Sequence, residues 1–350
     1  MSIRRGLLLL VLLALAALAW QWPRYQRFAD TPLAGVGADA SVVVARGDAL
    51  PAILRALRAQ GITTGPALYW RLLARQTGAA GRIRAGEYAL PAGITPRQLL
   101  LAMRDGKVLQ RRFTIVEGWT FRHLRAALAK VPQLQQKTAG MDDAALMAEL
   151  GYPGQHPEGR FLPETYAWVR GDSDLDLLRR AHAAMDKALE AAWQARASGL
   201  PLRSADEALV LASIVEKETG VADERPRIAG VFVRRLQAGM RLQTDPTVIY
   251  GLGERYAGNI RRADLAADTP YNTYTRDGLP PTPIAMPGKA ALHAATHPEP
   301  GDALYFVAVG DGSGRHVFSR NLDEHNAAVA AYLQRLRAQR QAAAQEAVRR

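Results

Sequence analysis

The sequence predicts an α+β protein made of an N-terminal transmembrane helix, a small α/β module and a larger α+β domain. Three observations predict this class: an uncharged apolar run near the amino terminus, short strand-like alternation, and long stretches of helical periodicity. The 350 residues leave room for two domains with appendages, at roughly 100 to 200 residues per domain. A hydrophobic content of 48% is that of an ordinary protein with buried cores.

The first element is the apolar run from Gly6 to Trp22, which follows Arg4 and Arg5. A helix of this length spans about 25 Å, near the ~30 Å of a bilayer core. Trp20 and Trp22 suit the membrane interface, although Ala-Leu-Ala at 17–19 also fits a signal-peptide cleavage site. We predict a single-pass membrane anchor over residues 1–23, with the rest of the chain across that membrane.

Residues 24–40 form a predicted spacer, and residues 41–107 form the small module. Its predicted elements are a strand at 42–44, helices at 50–60 and 66–76, and a strand at 82–90. Thr95 then caps a helix whose first position is Pro96, where the missing N–H costs nothing. This strand-helix-helix-strand order resembles a LysM-like glycan-binding module.

The larger domain follows a connecting α/β segment at 108–157, in which we predict a strand at 111–116 and a helix at 120–130. The polar residues 131–157 mark the predicted boundary, the catalytic domain covers 158–337, and 338–350 is a polar tail. The predicted elements of this domain are helices at 175–197, 204–219 and 226–237, hairpin strands at 303–309 and 315–319, and a helix from 322. Residues 239–287 are read as irregular, and so long a loop in a compact domain is typical of a functional site.

The charge and the cysteine count restrict the class of site. The net charge is +12, but 39 of the 45 basic residues are Arg spread along the chain, so we predict no nucleic-acid partner. The absence of Cys excludes disulfides, thiolate metal sites and a lipoprotein anchor. His293 and His297 have helical spacing without the glutamate of a metalloprotease motif between them. We therefore predict neither a metal nor a cofactor.

One acidic residue falls on the apolar side of a predicted helix that begins with a Ser204–Glu207 capping box. It shares a stripe at i, i+3, i+4 and i+7 with three apolar residues: Leu211, Ile214, Val215 and Glu218. Loss of hydration there favours the protonated carboxyl, as a general acid requires. The alternative is a structural Glu218 paired with arginine. Glu216 falls on the opposite side, with Leu209 and Ser213, and is predicted to be solvated and paired with an arginine.

Several motifs occur in the order found in one family. They are ASIVEKET at 212–219, EGRFLPETY at 158–166, RLQTDPTVIYG at 241–251, YNTY at 271–274, GLPP at 278–281, and short segments near 283–288, 305–308, 316–318 and 324–326. Over residues 110–335 the chain resembles the endolytic murein transglycosylase family, the YceG-like enzymes. It departs from the family at Thr282, where Gly is common, and at Met286, where Asn is frequent, and both departures concern sugar specificity.

The resemblance implies cleavage of peptidoglycan strands with Glu218 as the acid/base. Glu218 would protonate the bond between N-acetylmuramic acid (MurNAc) and N-acetylglucosamine (GlcNAc), then accept the 6-hydroxyl proton as a 1,6-anhydro end forms. Sugar binding and charge stabilisation would fall to residues of the loop and the motif at 158: Gln243, Asp245, Tyr250, Asn272, Tyr274 and Glu158. Packing remains an alternative for the tyrosines, as does a loop-holding role for Asn272.

Two other functions stay open. A glycoside hydrolase would need a second carboxylate, for which Asp245, Glu158 and Glu164 are available. A non-catalytic glycan-binding scaffold for cell-wall synthases is the other. The resemblance implies that the anchor lies in the bacterial inner (cell) membrane, with the catalytic domain on the periplasmic side. The predicted partners are peptidoglycan strands, the membrane and peptidoglycan synthases, and cleavage of nascent strands would terminate their elongation.

Overall fold

The structure is a computed structural model that describes residues 3–349, except for the side chains at 3–7, 9, 10, 14, 342–344 and 346–349. Residues 1, 2 and 350 also lie outside the described part. The chain divides into two compact units. The first holds the residues up to Arg112 together with Ala167–Asp172, and the second holds Phe113–Tyr166 and the chain from Ser173 onward. The finer division into six segments stays a prediction.

The first unit contains four helices and two strands. In chain order these are α1 (Ile3–Asp30), β1 (Ser41–Val44), α2 (Leu50–Ala59), α3 (Ala67–Gln76), β2 (Gly86–Ala89) and α4 (Pro96–Asp105). Within the part of the chain that the structure describes, no helix combines the length and the apolar character that crossing a membrane requires. The predicted anchor lies partly outside the described residues, at residues 1 and 2 and at the side chains of 3–7, 9, 10 and 14.

The strand-helix-helix-strand order predicted for the small module is present. β1 pairs antiparallel with β2, with Ser41 opposite Ala89 and Val44 opposite Gly86. α2 buries apolar residues one turn apart, and they join one core with side chains of α3, β2 and α4: Ile53, Leu57, Trp70, Leu73, Tyr88 and Leu99. Thr95 caps α4 as predicted, because its Oγ accepts the Gln98 N–H at 3.2 Å. Glycan binding by this module stays a prediction.

The remaining elements begin with β3 (Arg111–Thr114) and β4 (Thr165–Trp168), which form a two-stranded sheet. The helices that follow are α5 (Phe121–Leu128), α6 (Asp143–Leu150), α7 (Asp174–Gln194), α8 (Ala205–Glu218), α9 (Arg225–Gln237), α10 (Asp245–Leu252), α11 (Arg262–Ala266) and α12 (Lys289–Thr296). The predicted hairpin forms from β5 (Tyr305–Ala308) and β6 (His316–Ser319), with Tyr305 opposite Ser319. α13 (Leu322–Arg349) follows.

Helix α8 lies in the centre of the second unit's core. All eight residues from 208 to 215 are buried, and they pack with residues of α7, α9 and α12. The prediction of a single apolar stripe was therefore too narrow, because Leu209 and Ser213 on the opposite side are buried as well. Ser213 is accommodated because its Oγ donates to the Val210 carbonyl at 2.7 Å and accepts the Ile284 N–H at 3.0 Å.

Both ends of α8 follow from local chemistry. Ser204 Oγ accepts the Glu207 N–H at 3.2 Å and caps the helix as predicted. The Glu207 carboxylate accepts the Arg203 N–H at 2.7 Å, so the predicted reciprocal box is shifted by one residue. At the other end Thr219 has extended dihedral angles, which makes Glu218 the last helical residue.

Two segments for which no helix was predicted, the polar boundary at 131–157 and the irregular stretch at 239–287, contain helices. α6 lies within 131–157 and begins at Asp142, whose carboxylate accepts the Ala145 N–H at 2.7 Å. α10 and α11 lie within 239–287, and α10 carries Pro246 in its first turn. The sequence reading took proline as a loop signal, whereas proline is well tolerated in the first turn of a helix. α10 carries two of the predicted site residues, Asp245 and Tyr250.

Candidate active site

Glu218 lies at the end of the buried helix, where its side chain is only partly exposed. Thr244 Oγ donates a hydrogen bond to Glu218 Oε1. Thr244 is itself buried and comes directly before α10. The fold therefore holds the carboxyl group between the end of one helix and the start of another.

The surroundings of Glu218 favour its protonated form. Burial raises the pKa of Glu218 most strongly, the negative charge of Asp245 raises it further, and the hydrogen bond from Thr244 lowers it, which leaves the pKa at about 7. A carboxyl group with that pKa has similar populations of acid and carboxylate near neutral pH. It can therefore both give and take a proton during one reaction cycle.

Two of the predicted site residues, Asp245 and Tyr274, lie near this carboxyl group. Asp245 accepts a hydrogen bond from the Tyr274 hydroxyl at 2.6 Å. Burial raises the pKa of Tyr274 most, and the hydrogen bond to Asp245 and the negative charges of Asp245 and Glu218 raise it further. Gln243 is exposed and has a positive φ of 51°, which is uncommon outside glycine and strained. The structure thus brings Glu218, Asp245 and Tyr274 together and holds Gln243 next to them in the chain.

A neighbouring loop supports the segment that carries Thr244. The Thr273 carbonyl accepts the Gln243 N–H at 3.1 Å, and Thr273 Oγ accepts the Thr244 N–H at 3.0 Å. Thr244 and Thr273 were not identified from the sequence as functional residues. Their only signal was their position inside the two family motifs.

Asn272 holds this loop from within. Its side chain is 1% exposed, and its Nδ2 donates to the carbonyls of Asp264, Leu265 and Ala267 at 3.3, 3.0 and 2.7 Å. Its Oδ1 accepts the Tyr274 N–H at 2.9 Å. The amide is fully used by backbone groups, and this geometry favours the loop-holding role over direct sugar binding.

A second carboxyl group, that of Glu158, lies on an open cleft of about 1490 Å³ in the second unit. Glu158 is 3% exposed, accepts the Phe121 N–H at 2.9 Å and receives a hydrogen bond from the Tyr250 hydroxyl. Burial is the largest cause that raises its pKa, which lies at about 7. Tyr250 packs edge-on against Tyr271 at 4.9 Å, and both rings line the cleft.

The cleft that Glu158 lines is also lined by residues adjacent in sequence to Glu218 and Asp245. Lys217 and Pro246 are lining residues, and they are the immediate neighbours of Glu218 and Asp245 in the sequence. Glu218, Asp245 and Tyr274 are not lining residues themselves. Of the predicted residues, the structure places Glu158 and Tyr250 on the cleft wall and the Glu218 group beside its lining.

Glu216 has a structural role. Its side chain pairs with Arg225 at 3.3 Å, as predicted, and also accepts the Gly288 N–H at 2.9 Å. The prediction of a solvated face was wrong, because only 5% of this side chain is exposed. α8 is covered on the Glu216 side by the loop that carries Gly288, which the helical wheel could not show.

The chain departs from the family's usual residues at Thr282 and Met286. Neither residue lines the cleft, although Ile284 between them does. Thr282 Oγ forms a hydrogen bond of 2.9 Å with the Tyr271 hydroxyl, and the Met286 side chain is fully buried.

No group of three or more potential metal ligands comes together among the residues that the structure describes.

Glu158→Gln is expected to make the protein more stable at pH 8. A carboxyl group whose pKa is raised from 4.5 to about 7 by folding contributes stability below pH 4.5, and this contribution is lost as the pH rises through 7. The loss amounts to ~3 kcal/mol at full ionisation, and a neutral glutamine removes it. Urea denaturation at pH 5 and pH 8 measures the difference. A variant that is less stable than the wild type at pH 8 contradicts the expectation.

Comparison with known proteins identifies relatives of this chain. The model of the YceG-like family matches residues 42–331. A protein of Bacillus subtilis named endolytic murein transglycosylase is 32% identical over 273 residues, which cover 73% of this chain and 74% of that protein. A Streptococcus pneumoniae protein of the same name is 32% identical over 224 residues. These residues cover 62% of this chain and 38% of the Streptococcus protein.

A solved structure shows the same relation. A yceG-like protein from Listeria monocytogenes superimposes with a TM-score of 0.53 at 31% sequence identity. The match covers 83% of this chain and 99% of the other.

Proposed function

Because the chain belongs to the YceG-like family, we propose that it is a lytic transglycosylase that cleaves the MurNAc–GlcNAc bond within peptidoglycan strands. The names of its Bacillus and Streptococcus relatives support the substrate and the reaction. The observation that carries the proposal is the Glu218 carboxyl group, which is partly buried, bound by Thr244 and balanced at a pKa of about 7.

In the first step Glu218 acts as an acid. Its proton passes to the glycosidic oxygen, the bond from that oxygen to C1 of MurNAc breaks, and GlcNAc leaves with a free hydroxyl. Positive charge develops on C1 and the ring oxygen. The Asp245 carboxylate, which lies close enough to raise the pKa of Glu218, stabilises that charge electrostatically.

In the second step Glu218 acts as a base. As a carboxylate it takes the proton of the MurNAc 6-hydroxyl, and O6 bonds to C1 to close a 1,6-anhydro ring. The carboxyl group is then protonated again, so the cycle balances without water. One group with a pKa near 7 suits both roles, because neither form is strongly disfavoured.

The products distinguish this reaction from hydrolysis. The fragment from residue 24 onward is incubated with purified sacculi, and the released muropeptides are weighed by mass spectrometry. Transglycosylation gives anhydro ends that are lighter than reducing ends by one water. Reducing ends alone would instead support the hydrolase, for which Asp245 and Glu158 are the available second carboxylates.

Thr244→Val is expected to shift the pH profile of strand cleavage upward. kcat/KM should fall as the pH rises through 7, because the first step needs protonated Glu218. The Thr244 hydrogen bond lowers the pKa of Glu218, so its removal raises that pKa and moves the falling limb to higher pH. Thr247→Val is the control, since Thr247 Oγ donates to the Thr244 carbonyl at 2.8 Å. An unshifted limb in Thr244→Val would count against the assigned hydrogen bond.

We propose further that residues 6–22 anchor the protein in the cell membrane, with the second unit on the outer, periplasmic side. The basic flank and the uncharged run support this, together with Trp20 and Trp22, which are exposed in α1. Cleavage close to the membrane would act on nascent strands and end their elongation beside peptidoglycan synthases. An alkaline wash of membranes tests the anchor: the full chain should stay in the pellet, and its release would contradict the proposal.

A further inference from the structure

Lys217 is an exposed cation on the cleft wall, one residue before Glu218. No acidic side chain of the described residues lies within ion-pair distance of its Nζ, which instead donates to the Gly118 carbonyl at 3.3 Å. Its aliphatic part runs past Gly118, where an added Cβ would lie 3.7 Å from Lys217 Cδ. The charge is therefore held in place on the cleft without being neutralised.

Arg122 and His123, which also line this cleft, are neighbours in the sequence at the start of α5. We call Arg122, His123 and Lys217 the basic rim. Burial lowers the pKa of His123 most, and the positive charges of Arg122 and Lys217 lower it further, so His123 lies in the field of these two cations and its neutral form is favoured. Arg122 pairs with Glu254 at 3.1 Å, but both side chains are largely exposed, so water and salt screen that pair.

The acidic side chains that line the cleft have partners other than Lys217. Asp143 is paired with Arg125 at 2.9 Å, and Glu254 is paired with Arg122 at 3.1 Å. Asp174 accepts backbone N–H groups from Lys137 and Thr138, and Glu158 accepts the Phe121 N–H. Among the described residues, Lys217 is therefore a positive charge on this wall without an acidic partner, and it suits an anionic group on the ligand.

We propose that the basic rim binds a carboxylate on the lactyl arm of MurNAc, either the free lactyl carboxylate or one carried by the stem peptide attached there. This inference rests on the proposed function. The hydroxyl and acetamido groups of the glycan are neutral, so carboxylates on this arm are the anions that an ordinary strand offers. The lactyl ether is on C3 of the sugar whose C1 is attacked. Lys217 precedes the acid/base directly in the chain and lines the cleft, so its cation can meet a group carried by the sugar that reacts.

Lys217 should act on binding and leave the proton transfers unchanged. The causes that set the pKa of Glu218 are burial, Thr244 and Asp245, and the charge of Lys217 is not among them. Removal of that charge is therefore expected to raise KM while the pH profile of kcat stays in place. If Lys217 had a structural role instead, its substitution would lower the free energy of unfolding and would reduce activity equally on every substrate.

The test uses the full-length protein in detergent with two substrates: strands that keep their stem peptides, and strands stripped of them by an amidase. Lys217→Gln is expected to raise KM on the order of threefold to tenfold on one substrate class, and Lys217→Glu more. An increase on peptide-bearing strands alone assigns the peptide carboxylate, and an increase on stripped strands alone assigns the lactyl carboxylate. Lys187→Gln is the matched control, because Lys187 is exposed on α7 and does not line the cleft.

Unchanged KM values for Lys217→Glu on both substrates would overturn the proposal. Binding of the same strands to Glu218→Gln and to the Glu218→Gln/Lys217→Glu double variant gives a readout that needs no catalysis. If the wild type makes no anhydro ends while Lys217→Glu still weakens binding, the proposed reaction fails and the carboxylate site stands. Equal binding by the two variants overturns the site.

Discussion

Glu218→Gln is expected to reduce strand cleavage by roughly 10²-fold to 10⁴-fold, the usual contribution of a positioned acid/base group. Glutamine has nearly the shape of glutamate and can still accept the Thr244 hydrogen bond, but it has no proton to give to the glycosidic oxygen. The variant should fold, and it should become more stable at pH 8, because the wild-type carboxyl group is ionised there against a raised pKa. Cleavage of labelled strands gives the rate, and circular dichroism gives the fold.

Glu190→Gln is the matched control for this loss. Glu190 lies exposed on α7 and accepts a hydrogen bond from Gln194, away from the cleft lining. Its variant should keep wild-type cleavage. If Glu218→Gln cleaves strands as fast as the wild type, another residue performs the proton transfers or the protein is a glycan-binding scaffold.

Asn272→Ala is expected to lower the free energy of unfolding by ~4 kcal/mol. The substitution removes four hydrogen bonds to the backbone, each worth about 1 kcal/mol, and takes the amide donor from three carbonyl groups. The loop that contains Asn272 also holds Gln243 and Thr244 through Thr273. Activity should therefore fall together with stability.

Urea denaturation measures this effect. Asn259→Ala is the control, because Asn259 is exposed in the segment between α10 and α11. This substitution should change the free energy of unfolding by less than about 0.5 kcal/mol. Equal stabilities for Asn272→Ala and the wild type would show that the loop does not depend on the buried amide. Loss of activity at unchanged stability would restore the sugar-binding role that the sequence predicted for Asn272.

The sequence was sufficient for elements whose signals are local. The Ser204 cap, the helix α8 and the hairpin of β5 and β6 were predicted from spacing, because capping, periodicity and Gly-rich turns act over a few residues. α10 was missed because Pro246 was taken as a loop signal. β4 was also missed, since four residues of alternation are too short to stand out.

The site could be predicted only in part, because its groups come from distant parts of the chain. The helical wheel found Glu218, but it could not show that Thr244, 26 residues later, donates to it. It also placed Glu216 in solvent, because the loop with Gly288 that covers it follows 72 residues later. Lys217 was not among the site residues predicted from the sequence. Its importance comes from the cleft on which the fold places it.

The pKa of the Glu218 side chain in the folded protein is the quantity on which the two-step reaction depends most. It can be measured by a ¹³C NMR titration of the side-chain carboxyl groups, with Glu218→Gln used to assign the resonance. A midpoint at about 7 is predicted, because burial and Asp245 outweigh the Thr244 hydrogen bond. A midpoint near the ordinary value of 4.5 would mean that the group is ionised at neutral pH and cannot serve as the acid.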